Sequence, residues 1–165
     1  MTTRWFPDEM PVPAVSAETV GWWEAAARHR LVVQRCTACG TTRHPPGPVC
    51  PRCRSTDADW ATLPGTGRVF TYTVVRQAFI PSLASQLPYI VMAVDLDGAE
   101  GARIVSNLVD IDPAEVTIEM RVEVVWEDMG PDLALPRFRP AQKDVREGNG
   151  EMSAGSSVGA GSAAR

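Results

Sequence analysis

The sequence predicts a mainly β protein in which an N-terminal helix and a four-cysteine metal site precede a small barrel. All four cysteines lie between residues 36 and 53, in two C-x2-C pairs. The segments after residue 67 are rich in β-branched residues, and turn formers divide them into strands. A single helical pattern comes before the cysteines. The length of 165 residues fits one domain, or one domain with a small appendage.

The composition is that of an ordinary globular protein, with 44% hydrophobic and 22% charged residues. The formal net charge of −4 disfavours a dedicated nucleic-acid-binding protein, which usually carries a basic face. No run reaches the roughly 18 apolar residues of a membrane span, and residues 1–13 lack the pattern of a secretory signal. We therefore predict a cytoplasmic protein without a membrane partner. A reducing compartment disfavours disulfides, which makes the thiols candidate metal ligands.

The two ends of the chain differ from its middle. Residues 1–15 hold three prolines and no apolar periodicity, and they are predicted to form an extended arm anchored by Trp5 and Phe6. Residues 141–165 are rich in Gly, Ser and Ala, a composition that predicts a disordered tail. Docking of such a tail in a groove on a partner is the less favoured alternative.

Residues 16–30 are predicted to contain the helix, with its body at about 17–29. Ser16 is the expected cap, because its hydroxyl can accept backbone N–H bonds. The apolar positions at helical spacing are Val20, Trp23 and Ala27. Of the adjacent Trp22 and Trp23, one is expected in the core and one half-exposed. Since interfaces favour tryptophan, both are candidate partner-binding residues.

Strand patterns fill the rest of the chain. Their ranges are 31–35, 68–79, 89–97, 102–110 and 116–128. Gly65 and Gly67 come just before the first long strand, where small barrels use glycine for bends and bulges. The segment "DPAE" is predicted to form one helical turn, with Asp112 as its cap and Pro113 at the first helical position.

The cysteine spacing predicts a structural metal site. Each C-x2-C can form a tight turn that directs both sulfurs to one centre, and two such turns supply four thiolates for tetrahedral zinc. The ten-residue loop between the pairs is rich in turn formers, as a return of the chain requires. Four cysteines leave no open position for water or substrate, so the site is not predicted to be catalytic. The ligands are Cys36, Cys39, Cys50 and Cys53.

Other interpretations of the cysteines are weaker. Two disulfides would need an oxidising compartment, and a redox dithiol would need one C-x2-C near a βαβ pattern. A rubredoxin-like iron site is chemically feasible but less favoured than zinc. His44 lies in the loop, yet the cysteines already complete the shell, so we interpret it as a surface or supporting histidine.

The sequence contains no recognisable catalytic or nucleotide-binding motif. The two histidines, His29 and His44, lie in no nucleophile motif, and "GTGRVF" lacks the third glycine of a dinucleotide fingerprint. Asp95 and Asp97 precede Gly98 and are interpreted as turn residues. None of these patterns brings together a nucleophile, a base and an oxyanion donor.

An ordered set of motifs resembles the family of domain of unknown function 35. The motifs are "WWEAAARHRLVVQRCTACG", "PVCPRC", "GTGRVFTYTVV", "PYIVMAVDLD" and "RFRP", and the resemblance covers about residues 16–140. It implies a zinc ribbon at 31–60 followed by a five-stranded OB-fold barrel at 61–140. Many members carry glycine where this chain has Glu119, which leaves the geometry of that turn open.

The resemblance also implies a function. Members of this family accompany thiolase-like enzymes, including thiolases, ketoacyl synthases and lipid-transfer-protein-type aldolases, and a MaoC-like hydratase in steroid metabolism. The implied role is a non-catalytic accessory subunit that helps to bind or pass an acyl-CoA thioester.

Cations and aromatic rings on the predicted barrel are candidate CoA-binding residues, because CoA carries phosphates and an adenine. An equally favoured interpretation is that they are solvated strand residues. The candidates are Arg68, Tyr72, Arg76, Phe79 and Arg103.

Two further functions compete with the accessory role. A single-stranded nucleic-acid-binding module would use the same folds, although the acidic charge and the 7% aromatic content disfavour it. A small acyl-CoA hydrolase would need a nucleophile–base pair that the sequence does not supply.

Overall fold

A computed structural model describes residues 4–7, 11 and 13–142. Within these residues the chain forms one α-helix, eight strands and two short 3-10 helices. The bounds are α1 Val20–Ala26, β1 Val32–Cys36, β2 Thr42–Arg43, β3 Ala58–Thr62, β4 Thr66–Val75, β5 Tyr89–Leu96, β6 Arg103–Leu108, β7 Arg121–Gly130 and β8 Leu133–Pro140. The 3-10 helices are Pro81–Gln86 and Pro113–Glu115.

The strands form a small sheet and the predicted five-stranded barrel. The first three make an antiparallel sheet in the order β2-β1-β3, and the other five close a barrel in the order β4-β5-β6-β8-β7. The β6–β8 seam is thin, because these parallel strands pair only at Leu108 and Phe138. Along most of β6 the side toward β8 therefore has no ladder partner among the described residues.

One hydrophobic core joins the helix, the small sheet and the barrel. Along β5 every second side chain is buried, as expected for a strand with one face in the barrel interior. The core cluster runs from Trp22 of α1 through Val32 of β1 to Val69 and Phe138 of the barrel. Burial of this shared apolar surface fixes the small sheet against the barrel.

The helix is shorter than predicted, and its buried face differs. Its buried residues are Trp22, Ala25 and Ala26, whereas the predicted position Val20 is 43% exposed. A Cβ atom at Gly21 would lie 2.4 Å from the indole Nε1 of Trp60. Close approach of β3 to this glycine explains why the face beside Gly21, and not the predicted one, turns inward.

The predicted Ser16 cap is wrong, although Ser16 does lie at the helix start. Its hydroxyl donates to Glu18 and not to the backbone, while its carbonyl accepts from Thr19 and Val20 N–H. At the other end, His29 adopts a left-handed φ of 54°, which stops the helix.

Other predicted elements are confirmed or shifted. The "DPAE" turn is the 3-10 helix Pro113–Glu115, capped by Asp112, whose carboxylate accepts from Ala114 N–H at 2.8 Å. The strand predicted at 116–128 begins at Arg121, because Glu119 adopts a left-handed φ of 66°. Many members of the family that this sequence resembles have glycine in place of Glu119. Glycine suits the left-handed conformation, which other residues adopt only at a cost.

Three strands were not predicted, namely β2, β3 and β8. The first has two residues, the second lies in a turn-rich stretch, and β8 contains two prolines. The predicted limits of the ribbon and the barrel stay predictions. The predicted tail at 141–165 lies outside the described residues except for 141 and 142, and the predicted arm at 1–15 is described only in part.

Two glycines allow the chain to enter the barrel. Gly65 has a φ of 83°, a left-handed value. At Gly67 a Cβ atom would lie 2.4 Å from the backbone oxygen of Asp95, because β4 and β5 approach closely there. Gly65 precedes the strand as predicted, whereas Gly67 lies within it, because β4 begins at Thr66.

The loop after β2 packs against the helix through His44. Its imidazole lies with the ring centroid 5.5 Å from that of Trp22. Burial lowers the pKa of His44 to about 4, because the charged imidazolium is poorly solvated there. His44 therefore supports this contact as a neutral ring.

We predict that Gly67→Ala lowers the free energy of unfolding by about 2 kcal/mol, since overpacking against a backbone oxygen cannot relax by a side-chain movement. Urea unfolding measures the effect. Gly47→Ala is the matched control, because nothing lies within 4 Å of the added Cβ, and it should change stability little. Equal effects of the two substitutions would contradict the close approach.

We also predict that His44 makes stability depend on pH. The unfolded chain takes up this proton near pH 6.5 and the folded chain only near pH 4, so the stabilising contribution is complete above 6.5 and is lost as the pH falls toward 4. Between pH 7 and 5 the loss amounts to about 1–2 kcal/mol. Unfolding curves of His44→Gln should lack this component, and those of His29→Gln should retain it. A slope that persists in His44→Gln would exclude His44 as its source.

Candidate functional site

Two turns of the same geometry present the cysteines. In the first, Gly40 N–H donates to Cys36 O at 2.8 Å, and in the second Arg54 N–H donates to Cys50 O at 2.9 Å. Gly40 and Arg54 have φ values of 75° and 64°, so each turn ends in a left-handed residue. The equal sequence spacing therefore produces equal local structures, as predicted.

The four sulfurs converge on one point. The Sγ–Sγ distance is 3.6 Å both for Cys36 with Cys53 and for Cys39 with Cys50, and all four sulfurs lie within 4.8 Å of one another. Zn–S bonds of about 2.3 Å at tetrahedral angles place sulfurs about 3.8 Å apart. The cluster therefore has the dimensions of a structural metal site. His44 is not part of this group.

The thiols influence one another's ionisation. A hydrogen bond from the Thr41 hydroxyl contributes most to lowering the pKa of Cys39 to about 6. At Cys53 the Ser55 backbone N–H favours the thiolate, but the neighbouring Cys39 and Cys36 outweigh it and raise the pKa to about 12. Four thiolates in so small a volume repel one another, and a divalent cation among them removes that repulsion.

A groove lies between the helix, the loop after β2 and the barrel. Its volume is about 360 Å³, and its floor is the thin seam between β6 and β8. The lining residues on the helix and loop are Thr19, Trp22, Trp23, His44, Pro45 and Pro46. Those on the barrel are Val91, Ile104, Val105, Ser106, Asn107, Leu135, Pro136 and Arg137. This groove was not predictable from local sequence patterns, because its walls come from segments distant in sequence.

A buried carboxylate lies beside the groove. Glu127 is fully buried and accepts from Arg137 Nε at 2.8 Å, while Arg137 Nη1 donates to Asn107 Oδ1 at 2.6 Å. The other carboxylate oxygen of Glu127 accepts from the backbone N–H groups of Trp5 and Phe6 at 2.8 and 3.0 Å. A charge buried in this way requires partners on all sides, and the N-terminal arm supplies two of them.

The predicted arm anchors have these partners in the barrel. Trp5 Nε1 donates to Asp110 at 3.0 Å. The Phe6 ring packs edge-on against Tyr89, with ring centroids 5.6 Å apart, and lies under the Arg137 guanidinium. The sequence signal available for this buried network was Glu127, a glutamate within the β-branched run "VEVVWED".

The structure brings two of the five candidate CoA residues to one face. Arg68 and Arg103 both pair across their strands with Asp95, on the outer face of the barrel. Arg103 donates to Asp95 at 2.6 Å and covers the ring of Phe70 at 3.4 Å. Phe70 was not predicted, and it is exposed because it lies two positions after Arg68, on the outward-facing side of β4.

The other three candidate residues lie elsewhere. The Tyr72 ring packs against the core, and its hydroxyl donates to Val116 O at 3.0 Å. Arg76 and Phe79 follow β4 in an exposed segment, and Phe79 is 82% exposed. The five residues therefore do not form one site in this structure, and a CoA role for each stays a prediction.

The tryptophans of the helix divide as expected. Trp22 is 6% exposed and lies in the core, while Trp23 is half-buried and packs edge-on against it with centroids 4.5 Å apart. Both side chains line the groove. Their role in binding a partner stays a prediction.

One acid–base pair escaped the sequence analysis. His29 Nε2 lies 2.6 Å from Asp128 Oδ1, and its ring stacks on Trp126 with centroids 5.5 Å apart. The two residues are 99 positions apart, so no local motif indicates the pair. Of the helices that the structure describes, none is both long and apolar enough to cross a membrane.

Two family models match the chain. The model described as the rubredoxin-like zinc ribbon domain of ChsH2 matches residues 23–59. The model described as the C-terminal OB-fold domain of ChsH2 matches residues 60–127. They correspond to the four-cysteine sheet and to most of the barrel.

The curated relatives are named either as hydratase alpha subunits or as scaffold proteins. A probable enoyl-CoA hydratase alpha subunit of Thermomonospora curvata is 47% identical over 79% of this chain and 40% of that protein. The 3-oxo-4,17-pregnadiene-20-carboxyl-CoA hydratase alpha subunit of Mycobacterium tuberculosis is 33% identical over 81% of this chain and 41% of that protein. The chain thus spans about two fifths of these two relatives. A DUF35 domain-containing scaffold protein of Methanocaldococcus jannaschii is 38% identical over 67% of this chain and 77% of that protein.

Solved structures agree with these matches. A chain of the Ltp2-ChsH2(DUF35) aldolase has 46% identity and a TM-score of 0.71, and the match covers 78% of this chain and 98% of that chain. A DUF35 protein from Sulfolobus solfataricus has a TM-score of 0.56 at 12% identity, which indicates the shared fold. The chain belongs to the DUF35 family, whose members combine a zinc ribbon with an OB-fold.

Proposed function

We propose that this protein is a non-catalytic accessory subunit that binds a thiolase-like enzyme and helps it to bind or pass an acyl-CoA thioester. The observation that carries the proposal is the 46% identity to a chain of the Ltp2-ChsH2(DUF35) aldolase, covering 98% of that chain. At this identity the surfaces that contact an enzyme partner are expected to be retained in large part. The name of the archaeal relative as a scaffold protein supports the same role.

The acyl-CoA part of the proposal rests on the outer face of the barrel. Arg68, Arg103 and Phe70 combine cationic groups with an exposed ring, as the phosphates and adenine of CoA require. Asp95 already pairs with Arg103 and so neutralises part of the positive charge of this face. We therefore propose that the face guides the thioester toward the enzyme and that the partner enzyme supplies the rest of the CoA-binding site. Two relatives named as hydratase alpha subunits make a hydratase a further candidate partner.

We also propose that the metal is zinc and that it is structural. Four thiolates fill a tetrahedral shell, which leaves no position for a reacting water. The small sheet contains only β1, β2 and β3, too little to fold by burial alone. The ion would hold the ribbon in shape, and the thiols would supply no chemistry to a substrate.

We predict that the chain forms a stable complex with the Ltp2 subunit of the matched aldolase. Light scattering after size exclusion should detect one species that contains both chains. The aldolase should lose activity when this chain is omitted, because the partner surface and the thioester path are incomplete. Separate elution of the two chains, together with full aldolase activity alone, would contradict the proposed function.

A matched pair of variants tests the CoA face in that complex. Arg103→Ala should raise the KM for the thioester and leave complex formation intact. Arg52→Ala removes an exposed arginine of the ribbon and should leave the KM unchanged. An unchanged KM in Arg103→Ala would exclude this face from thioester binding.

For the metal, we predict one zinc ion per chain by elemental analysis. Cys36→Ser and Cys53→Ser should each abolish the ion and unfold the ribbon, because metal binding is coupled to folding there. Thr37→Ala is the control, since Thr37 is exposed within the same turn and offers no ligand. Purified protein that contains neither zinc nor iron would contradict a metal site.

A further inference from the structure

One side of β6 directs backbone groups toward a strand that does not pair with them. In an antiparallel ladder, alternate residues bond to one neighbouring strand, and the residues between them direct their N–H and C=O groups to the other side. Leu96 N–H donates to Ala102 O, so the even-numbered residues of this ladder bond to β5. Val109 N–H donates to Phe138 O at 2.8 Å, so the odd-numbered residues face β8. The backbone N–H and C=O of Val105 therefore point toward β8.

Pro136 prevents β8 from pairing with this part of β6. The two strands pair at Leu108 and Phe138, and the preceding N–H of β8 on that side would belong to residue 136. Proline has no N–H, so it cannot donate to Val105 O. The carbonyl of Pro136 instead accepts from the Ser106 hydroxyl at 2.5 Å. The described residues contain no further β6–β8 pair, so Val105 has no ladder partner on this side among them.

This open edge of β6 lies at the surface and is not protected. Val105 is 72% exposed and lines the groove. Natural sheets protect exposed edges with proline, bulges or charged side chains. The β6 sequence "RIVSNL" contains no proline, and its ladder with β5 contains no bulge. Its one charged side chain, Arg103, lies over the neighbouring strands, where it bonds to Asp95 and covers the Phe70 ring. The open edge is therefore suited to pairing with another strand.

The backbone of this edge determines the kind of molecule that fits it. The N–H and C=O groups of Arg103 and Val105 repeat about every 7 Å, the spacing that an extended peptide matches. A peptide side chain opposite Val105 lies on the same face of the sheet as Val105 and so faces the groove. The groove also contains Trp23 and Pro45, and the guanidinium of Arg137 is already committed to Glu127. That position therefore favours an apolar side chain.

A single extended segment fits beside β6 better than a second copy of this chain does. The groove has a volume of about 360 Å³, which takes roughly three peptide residues at the packing density of protein interiors. In a second copy, β6 is already paired with β5, so it would bring a whole barrel against α1 and the loop after β2. An isolated segment of another protein avoids this collision.

We propose that an extended segment of the thiolase-like partner enzyme adds to the open edge of β6 as a further strand, with an apolar side chain opposite Val105. The inference rests on the proposed function, which supplies the partner, and it adds the surface and the mode of recognition. Hydrogen bonds to the backbone of Arg103 and Val105 provide affinity, and the groove selects the side chain. The contact requires neither the CoA thioester nor the side chains of the CoA face.

The test uses the full-length, metal-loaded chain and the Ltp2 subunit of the matched aldolase. Hydrogen exchange is measured at single-residue resolution in the free chain and in the complex. We expect the Val105 N–H to exchange at least about tenfold more slowly in the complex, because it then donates to the partner. The N–H groups of Ile104 and Ser106 are internal references, since they bond to β5 and should be protected in both states.

A pair of variants separates the backbone contact from the side chain. Val105→Pro removes the N–H on the open side and no bond to β5, as proline does in an edge strand. Affinity for the Ltp2 subunit should fall by about tenfold or more, because a hydrogen bond is lost and the proline ring intrudes between the strands. Val105→Thr is the matched control, since it keeps the N–H and the branched shape, and it should bind within about threefold of the unmodified chain.

The outcomes distinguish this inference from the proposed function. If the complex forms while exchange at Val105 is unchanged, or if Val105→Pro binds as tightly as Val105→Thr, the inference is wrong and the proposed function stands. A Val105 N–H that is already protected in the free chain would also overturn it, since this chain or a second copy would then cover the edge. If no complex forms, both fail. The exchange measurement needs no variant, so it decides the matter even if Val105→Pro fails to fold.

Discussion

The convergence of four cysteine sulfurs is the constraint on which the rest of this structure depends. Sulfurs 3.6 Å apart can all be ionised only around a cation, and the two tight turns exist to bring them there. The ribbon places two side chains against the helix. The Trp60 indole lies at Gly21, and the His44 ring lies beside Trp22. A metal ion among these sulfurs would therefore act on the groove at a distance, by fixing the segments that form two of its walls.

A second constraint lies on the barrel side of the groove. Glu127 is a fully buried carboxylate, so each of its oxygens needs a hydrogen-bond donor. One oxygen takes the Arg137 guanidinium, and the other takes the backbone N–H groups of the N-terminal arm. The same charge therefore orients Arg137 in the groove wall and fastens the arm to β7. The N-terminal arm and the last strand, β8, therefore both bind the side chain of Glu127.

The fold class was predictable because its signals are local. Cysteine spacing, alternation in β5 and the turn formers between strands each depend on neighbouring residues only. The buried face of α1 was not predictable, because it depends on Trp60, which lies far away in the sequence. Strand β8 was missed because prolines and arginines conceal its pattern, although its alternate residues Ala134, Pro136 and Phe138 are buried or line the groove.

Among the candidate sites, too, those with a local sequence signal were predictable and those built from distant segments were not. The four cysteines could be grouped as one candidate metal site from spacing alone, and the structure brings their sulfurs together. The CoA candidates could not be grouped, because the bulge beside Phe70 changes which side chains of β4 face outward. Tyr72 consequently points to the core, while Phe70 stays on the outer face that Arg68 occupies, beside Arg103. The groove could not be inferred at all, since its lining combines a helix, a loop and three strands.

The central claim is that a metal ion holds the ribbon, and through it the helix and the groove, on a barrel that is stable by its own packing. Hydrogen exchange on the metal-loaded and the chelated chain tests this most directly. The account predicts that chelation removes protection from α1, β1 and β3, while β5 and β7 keep theirs. Protection of β1 and β3 that survives complete removal of the metal would contradict it.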